Sequence, residues 1–443
     1  MAQLNRQQQM AARPDGGVNL VLAGAGTGKT STLVEKVNNI ITGLSLGPEN
    51  ILILTFSRKA AGEIRERVIE RLGRGASALT AGTFHSFCYG FIRENRKAFM
   101  RMTGYRDFPV VMDDITRDEG LSGILLCMVD EFRGVPVPVI RDLVQNPELV
   151  KGETGEKLKA AGLLGPVGQA AGMFRDYKLR HGLIDYDDMI RHTVAMLKQD
   201  PQLRARLLSR YTYILADEFQ DTAEDNFELI NLMLPQRERN FFAVGDDWQS
   251  IYSFRKAKPE YIIRMKTYFP GARTHRLYVN YRSCSEITRL SNRFIKRNRQ
   301  RTRKRLVSGR GRGGRVRFHR VADFEEEVLC ISRILHEEME RTGNIAVLFR
   351  NNWQGRFLVE RIDASLQDEA RVSFMTIHRS KGLEFDSVIV SGVSDSIMPD
   401  PHSNLEEERR IMYVALTRAR TSLHIVLHRN RDGTDPLFGR ELR

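Results

Sequence analysis

The run Val18 to Leu22 carries no charge and leads into glycines at 24, 26 and 28, followed at once by Lys29 and Thr30. Val18-Asn-Leu-Val-Leu reads as a buried strand, and Leu33, Val37, Ile40 and Ile41 then fall on one face of a helix. Strand, glycine loop and helix in that order predict an α/β fold. The glycines let main-chain N–H groups turn inward around phosphate oxygens, and the helix N-terminus adds its positive dipole end. Ala25, Gly26, Thr27, Gly28, Lys29, Thr30 and Ser31 are therefore candidate nucleotide contacts. Lys29 is placed to reach the β- and γ-phosphates, and the Thr30 hydroxyl to ligate Mg²⁺. Ala23 stands where the strict pattern has its first glycine.

The stretch Tyr213 to Thr222 supplies the matching carboxylates. Tyr213-Ile-Leu-Ala is an apolar strand whose carboxyl end delivers Asp217 and Glu218, the position where open α/β sheets hold their ligands. Elsewhere an Asp-Glu pair is a solvated helix start. Here Asp217 is expected to hold Mg²⁺ through water, and Glu218 to orient the attacking water or accept its proton. Two further segments end strands with polar and aromatic residues: Ile51 to Ala61, with Thr55, Phe56 and Arg58, and Gly82 to Phe87, with Thr83, Phe84 and His85. Threonine and backbone N–H groups hold phosphates, and a ring such as Phe56 stacks on any base. Rim packing is the plainer reading of either segment alone.

The chain has 443 residues, 41% hydrophobic and 28% charged, enough for two to three domains. It has no signal-peptide pattern and no apolar stretch long enough to cross a bilayer, so a cytoplasmic protein with no membrane partner is expected. Cys88, Cys127, Cys284 and Cys330 lie far apart, which argues against a zinc site or a disulfide framework. The net charge of +14 favours a polyanionic partner. Between Arg293 and Arg320 there are thirteen Lys or Arg and no acid, among them Arg299, Arg301, Arg303, Lys304 and Arg305. Two readings of this run stay open: a solvated helix end with a hairpin tip, or a surface that tracks phosphates.

The order of motifs resembles the UvrD/Rep family of superfamily 1 DNA helicases along nearly the whole chain, closest to its helicase IV-like branch. Leu4 to Gln8 is similar to the glutamine motif and Phe241 to Arg255 to motif III. Asn280-Tyr-Arg-Ser283 is similar to motif IV, Met375 to Phe385 to motif V, and Glu406 to Ala419 to motif VI. The resemblance implies two RecA-like parallel-sheet lobes with ATP and Mg²⁺ between them. Lys29, Thr30, Asp217 and Glu218 would come from the first lobe, and Arg282 and Arg418 from the second as arginine fingers. It further implies that Gln8 reads the adenine edge, Tyr281 stacks on adenine, and Gly382 and Glu384 approach the ribose. Gln249 would couple the γ-phosphate to the strand-binding face. Single-stranded DNA, alone or as the tail of a forked duplex, would lie on Thr55, Phe56, Arg58, Thr83, Phe84, His85, Tyr252, Phe254, Arg255 and His378. Phe254 stands where relatives usually carry Trp, and Ser31 where they often carry Arg.

The same landmarks divide the chain. Residues 1–97 and 184–275 are expected to form lobe 1A, 98–183 a helical insertion similar to subdomain 1B, and 276–443 lobe 2A. In the insertion, Arg141 to Val144 and Met173 to Asp176 read as helix pieces, and Gly162 to Gly172 as a flexible stretch. Ninety-four positions separate Arg282 from Thr376, too few for lobe 2A and the large 2B subdomain together, so 2B is expected to be absent. A monomeric motor moving 3′ to 5′ follows from the resemblance, with unwinding weak or dependent on a protein partner. Two other classes share some of these features. A small-molecule ATPase would have no use for Phe56, Tyr252 and Phe254, and an ATP-gated remodeller would grip nucleic acid without tracking along it.

Overall fold

The computed structural model describes residues 3–44, 46–145, 152–367, 369–401 and 403–442. The chain divides into two compact units, Met1–Thr83 with Leu207–Arg443, and Phe84–Arg206.

The larger unit contains two parallel sheets. The first is built from β1 (Val18–Leu22), β2 (Ile51–Thr55), β3 (Thr80–Thr83), β4 (Tyr213–Ala216), β5 (Phe241–Gly245) and β6 (Arg273–Arg276), in the order β3-β2-β4-β5-β1-β6. β1, β2, β4 and β5 are buried along their whole length, which is why each reads as an unbroken apolar run. The helix Lys29–Leu44 lays Leu33, Val34, Val37 and Ile40 against Val21, Ile53 and Val244 of this sheet. β6 carries Arg-Thr-His-Arg and pairs with β1 at the sheet edge. Its polar composition hides it from hydrophobic patterning.

The second sheet consists of β7 (Arg315–Val321), β8 (Ile345–Phe349), β9 (Val372–Thr376), β10 (Phe385–Val393) and β11 (Ala419–His428), in the order β7-β11-β10-β8-β9. Successive side chains point to opposite faces. Val347, Ile389 and Val426 meet Ile331, Ile334 and Leu335 of the helix Phe324–Met339 on one side. Leu348, Val390 and Ile425 meet Ile287, Phe294, Ile411 and Met412 of the helices Ser285–Ile295 and Leu405–Leu416 on the other.

In the smaller unit, the helices Asp114–Cys127, Val137–Gln145 and Leu164–Arg180 share a core that includes Leu121, Ile124, Ile140, Leu143, Val167 and Phe174. Val110–Val111 and Leu183–Ile184 form a short parallel pair beside them. The expected flexible stretch Gly162 to Gly172 is helical from Leu164 onward. Val167, Ala170 and Phe174 are buried at helical spacing, and that burial offsets the roughly 1 kcal/mol by which each helical glycine trails alanine.

The basic run also departs from expectation. Val307–Ser308 pairs in parallel with Val279–Asn280, so the segment is not a hairpin. Lys304 is neither solvated nor turned toward an outside phosphate. Its side chain is 1% exposed and donates to Asp247 at 2.8 Å, to Asp246, and to the carbonyl of Ala23 at 3.0 Å. Burial alone pulls its pKa down, but the two carboxylates outweigh burial and raise it. Breaking a buried pair strands the remaining charge, so Lys304→Met is expected to lose about 3–5 kcal/mol in urea denaturation. Adding Asp246→Asn and Asp247→Asn is expected to restore part of that loss. A single variant as stable as the parent would remove Lys304 from this role.

Candidate functional site: a cleft between the two sheets

The glycine loop is shaped by close neighbours as well as by its own backbone. Gly26 (φ +68°) offers its carbonyl to the N–H of Tyr281 at 2.8 Å, and a Cβ there would lie 2.6 Å from both Cβ of Arg282 and Oδ1 of Asn280. At Gly28 (φ +79°) a Cβ would meet Nε2 of Gln8 at 2.4 Å. That amide nitrogen donates to the carbonyl of Thr27 at 3.0 Å, while Oε1 of Gln8 accepts from the N–H of Asn5. The buried Gln8 thus clasps the loop from the amino-terminal helix.

A cavity of about 670 Å³ opens above the loop. The loop residues from Ala25 to Ser31 line it, with Asp217 and Glu218 from the end of β4, and Arg282, Glu384, Arg418 and Arg420 from the second sheet's side. Lys29 lies 3.2 Å from Glu218. Glu218 has φ +50°, a left-handed backbone that strains a non-glycine residue and is typical of functional sites. Burial pushes its carboxyl upward, but Lys29, Lys381 and the Gln220 amide outweigh burial and hold it at about 2. Asp217 moves the other way: burial and then the Glu218 charge push it to about 7. Two adjacent carboxyls are thereby driven apart, one kept a firm anion and the other raised toward neutrality. Oδ1 of Asp217 is buried with no hydrogen-bond partner among the described residues.

The arginines enter from the second sheet. Arg282 donates to Glu384 at 2.6 Å and to the carbonyl of Thr417 at 3.3 Å. Glu384 is shared with Arg420. Arg418 is buried and bonds Leu383, Val414 and, at 3.0 Å, Oε1 of Gln249. Burial and the nearby Arg282 lower its pKa to about 9. Tyr281 is 47% exposed over the cavity, and its hydroxyl accepts from Asn5 at 2.7 Å. Gly382 lines the same wall.

The nucleic-acid candidates separate into groups. Tyr252, Phe254 and His378 form one aromatic cluster, with ring centroids 5.7 Å apart for Tyr252 with Phe254 and for Phe254 with His378. Arg255 lies over both Tyr252 and Phe254, and Phe254 is 64% exposed. Burial and Arg350 lower the pKa of His378 to about 4, so its ring is neutral. Phe56 and Arg58 are exposed, and Phe56 lines the cavity above the glycine loop. Thr55, by contrast, is buried and donates its hydroxyl to the carbonyl of Ser57. Thr83 closes β3 and is nearly buried. Phe84 and His85 belong to the smaller unit. Phe84 is 1% exposed, so its ring has no open face for a base, and His85 packs edge-on against Tyr186.

Three polar residues join the site that no assigned role anticipated. Gln220 donates to Glu218 at 2.6 Å and to Asp221 at 3.2 Å, and accepts from the N–H of Asp246 at 2.8 Å. Asp221 pairs with Lys381, which also donates to the carbonyl of Gln249 at 2.9 Å and lies over the Tyr252 ring. The signal for Gln220 and Asp221 was their place directly after the strand's two acids. Lys381 sits inside the motif V stretch, but nothing local marks it as an ion-pair partner of a residue 160 positions away. A continuous run of contacts thus leads from Lys29 through Glu218, Gln220, Asp221 and Lys381 to the rings.

Comparison with known proteins gives this geometry a family. Residues 4–133 and 139–270 match the UvrD/REP helicase N-terminal domain. Residues 275–365 and 356–430 match the UvrD-like helicase C-terminal domain. The chain belongs to the UvrD/Rep helicase family. A probable DNA helicase of Mycoplasma pneumoniae is 28% identical over 96% of this chain and 83% of its own length. The ATP-dependent DNA helicase PcrA of Bacillus subtilis is 32% identical over 81% of this chain and 49% of its own length. For Rep of Escherichia coli the figures are 30%, 80% and 53%. The chain therefore spans about half the length of the Rep and PcrA relatives it matches. No helix among the described residues is long and apolar enough to cross a membrane.

In this UvrD/Rep chain, Lys381 is the one side chain among the described residues that touches both the carboxylate network and the ring cluster. Lys381→Ala is expected to reduce the ratio of single-strand-stimulated to unstimulated ATP hydrolysis ~5-fold or more, the lower end of usual coupling energies. An unaltered stimulation ratio in steady-state ATPase assays would show that the contact run carries no coupling.

Proposed function

We propose that this chain is an ATP-dependent translocase and helicase acting on single-stranded DNA, moving 3′ to 5′ as a cytoplasmic monomer. One observation carries the reading: Lys29 and Glu218 from the first sheet and Arg282 and Arg418 from beside the second line one cavity. Such a cleft makes hydrolysis depend on how the two sheets approach each other. An arginine reaching a γ-phosphate across such a cleft contributes a factor of about 10³ to 10⁵ in turnover, because it meets charge that develops in the transition state.

The glycine loop and Lys29 would hold the phosphates, with Gln8 and Tyr281 beside the adenine and Gly382 and Glu384 toward the ribose. Glu218, kept anionic by Lys29 and Lys381, would orient the attacking water and accept its proton. Thr30 and Asp217 would hold Mg²⁺, and the orphaned buried oxygen of Asp217 fits that use. When bound, Mg²⁺ supplies charge neutralisation on the phosphate oxygens. Gln249, between Arg418 and Asp246, would report nucleotide state to Tyr252 and Phe254. Phe56, Arg58, Arg255 and His378 would complete the strand's path.

We extend the proposal to domain organisation: lobe 1A at 1–97 and 184–275, a 1B-like insertion at 98–183, and lobe 2A from 276 without a 2B subdomain. In support, the interval from Arg282 to Thr376 is occupied by β7, β8, β9 and the helices Phe324–Met339, Asn352–Val359 and Ala364–Gln367. Without 2B, unwinding of duplex is expected to be weak or to need a partner protein, while tracking on single strands persists.

Steady-state ATPase rates with single-stranded DNA, single-stranded RNA and duplex as alternative activators test the reading, and a rate indifferent to single-stranded DNA would end it. Glu218→Gln is expected to bind ATP with hydrolysis reduced ~100-fold or more, as for loss of a positioned general base, whereas Lys29→Ala loses both. Near-parental turnover in Glu218→Gln would remove this carboxylate from its role. Phe254→Ala is expected to weaken single-strand binding by about 1–3 kcal/mol, one stacking contact, as read by fluorescence anisotropy.

A further inference from the structure

The basic run divides by partner. Its later arginines already have carboxylate partners: Arg315 and Arg320 pair with the buried Glu338 and Asp435, and Arg317 pairs with Glu337 at the surface. Lys296, Arg303, Arg305 and Arg312 are exposed, and among the described residues no ion pair engages them. Burial alternates along the strap between Thr302 and Val307. Thr302, Lys304 and Leu306 point inward to Asp247, to Asp246 and the Ala23 carbonyl, and to Gly24 respectively. Arg303 and Arg305 point outward. The outward arginines therefore ride on a backbone anchored at every second residue, which lowers the ordering entropy lost on binding.

Two adjoining cavities of about 580 and 790 Å³ share Lys296, Arg305 and Val307 as lining. Among the described residues no carboxylate lines either one, and Tyr278 is the single ring between them. The ring cluster of Tyr252, Phe254 and His378 is the opposite kind of surface. A single strand draws much of its affinity from base stacking, about 1–3 kcal/mol per base. A duplex keeps its bases inside and presents two lines of phosphates. A groove rich in unpaired cations and poor in rings fits the second ligand.

We propose that the outer face of the Lys296–Arg312 segment is a seat for the sugar-phosphate backbone of duplex DNA, separate from the aromatic cluster. The proposal rests on the nucleic-acid motor reading and adds a second DNA contact to it. The seat lies on the reverse side of the strap that holds Ala23, at the root of the glycine loop, so duplex is held by the same element that braces the nucleotide site.

The test uses the full chain, with a blunt duplex and a single-stranded oligonucleotide as probes, each titrated by fluorescence anisotropy over a salt series. For the Arg303→Gln/Arg305→Gln/Arg312→Gln variant, the slope of log affinity against log salt on duplex is expected to fall by about 0.9 per lost phosphate contact, roughly two to three in all. The single-strand slope and the ATPase rate at saturating single strand should match the parent. Lys296→Gln/Arg305→Gln, the two cations common to both cavities, repeats the measurement independently. An unchanged duplex slope in both variants, or an equal fall on single strand, overturns the seat. Failure of the motor reading looks different: the parent's ATPase would ignore single strand whatever the duplex slopes do.

Discussion

The contact of Lys304 with Asp246, Asp247 and the Ala23 carbonyl is the constraint on which the cleft depends. Its three acceptors sit after β5 and at the exit of β1, while the lysine itself arrives on the segment that leads to the second sheet. An ammonium group withdrawn from water needs compensation on several sides at once, and here two carboxylates and a carbonyl provide it. The interaction is therefore tolerable only when the glycine loop, the residues after β5 and the strap are all in place. Leu306 against Gly24, and Trp248 packed with Tyr413 and Ile295, add apolar contact around the same point.

From that anchored point, the cleft gathers groups whose charges are meaningful only together. Glu218 stays anionic despite burial because Lys29 and Lys381 face it, and Asp217 is pushed toward neutrality by burial and by that same Glu218 charge. Arg418 is held in a buried site by carbonyls and by Gln249, and among the described residues no carboxylate forms an ion pair with it. A guanidinium kept charged but unneutralised is suited to meeting a phosphate. The run from Lys29 to Tyr252 is physically contiguous.

Much of this was legible in the chain. β1, β2, β4, β5 and β8 are apolar runs because parallel strands are covered on both faces, and the glycine loop and the Asp217-Glu218 pair announce themselves by their place at strand ends. β6 was not legible: an edge strand needs no apolar face, and Arg-Thr-His-Arg looks like a loop. The helix at Leu164–Arg180 was obscured by glycines whose low propensity is overruled by the buried stripe of Val167, Ala170 and Phe174. Phe84 illustrates the converse error, since an aromatic residue at a strand end reads as a stacking platform but here fills a core.

What the sequence determined by itself was the set of chemical parts: a phosphate loop, a pair of acids, arginines in later motifs, rings near Tyr252, and an excess of positive charge. These are local properties, set by residue type and by spacing within a single element. Only the tertiary structure decided which parts meet. Lys304 turns inward while Arg303 and Arg305 turn outward, although all three belong to one uninterrupted basic run. Lys381 finds Asp221 across 160 positions. Burial and long-range pairing depend on how elements pack, and residues adjacent in sequence but facing opposite sides carry no mark of that difference.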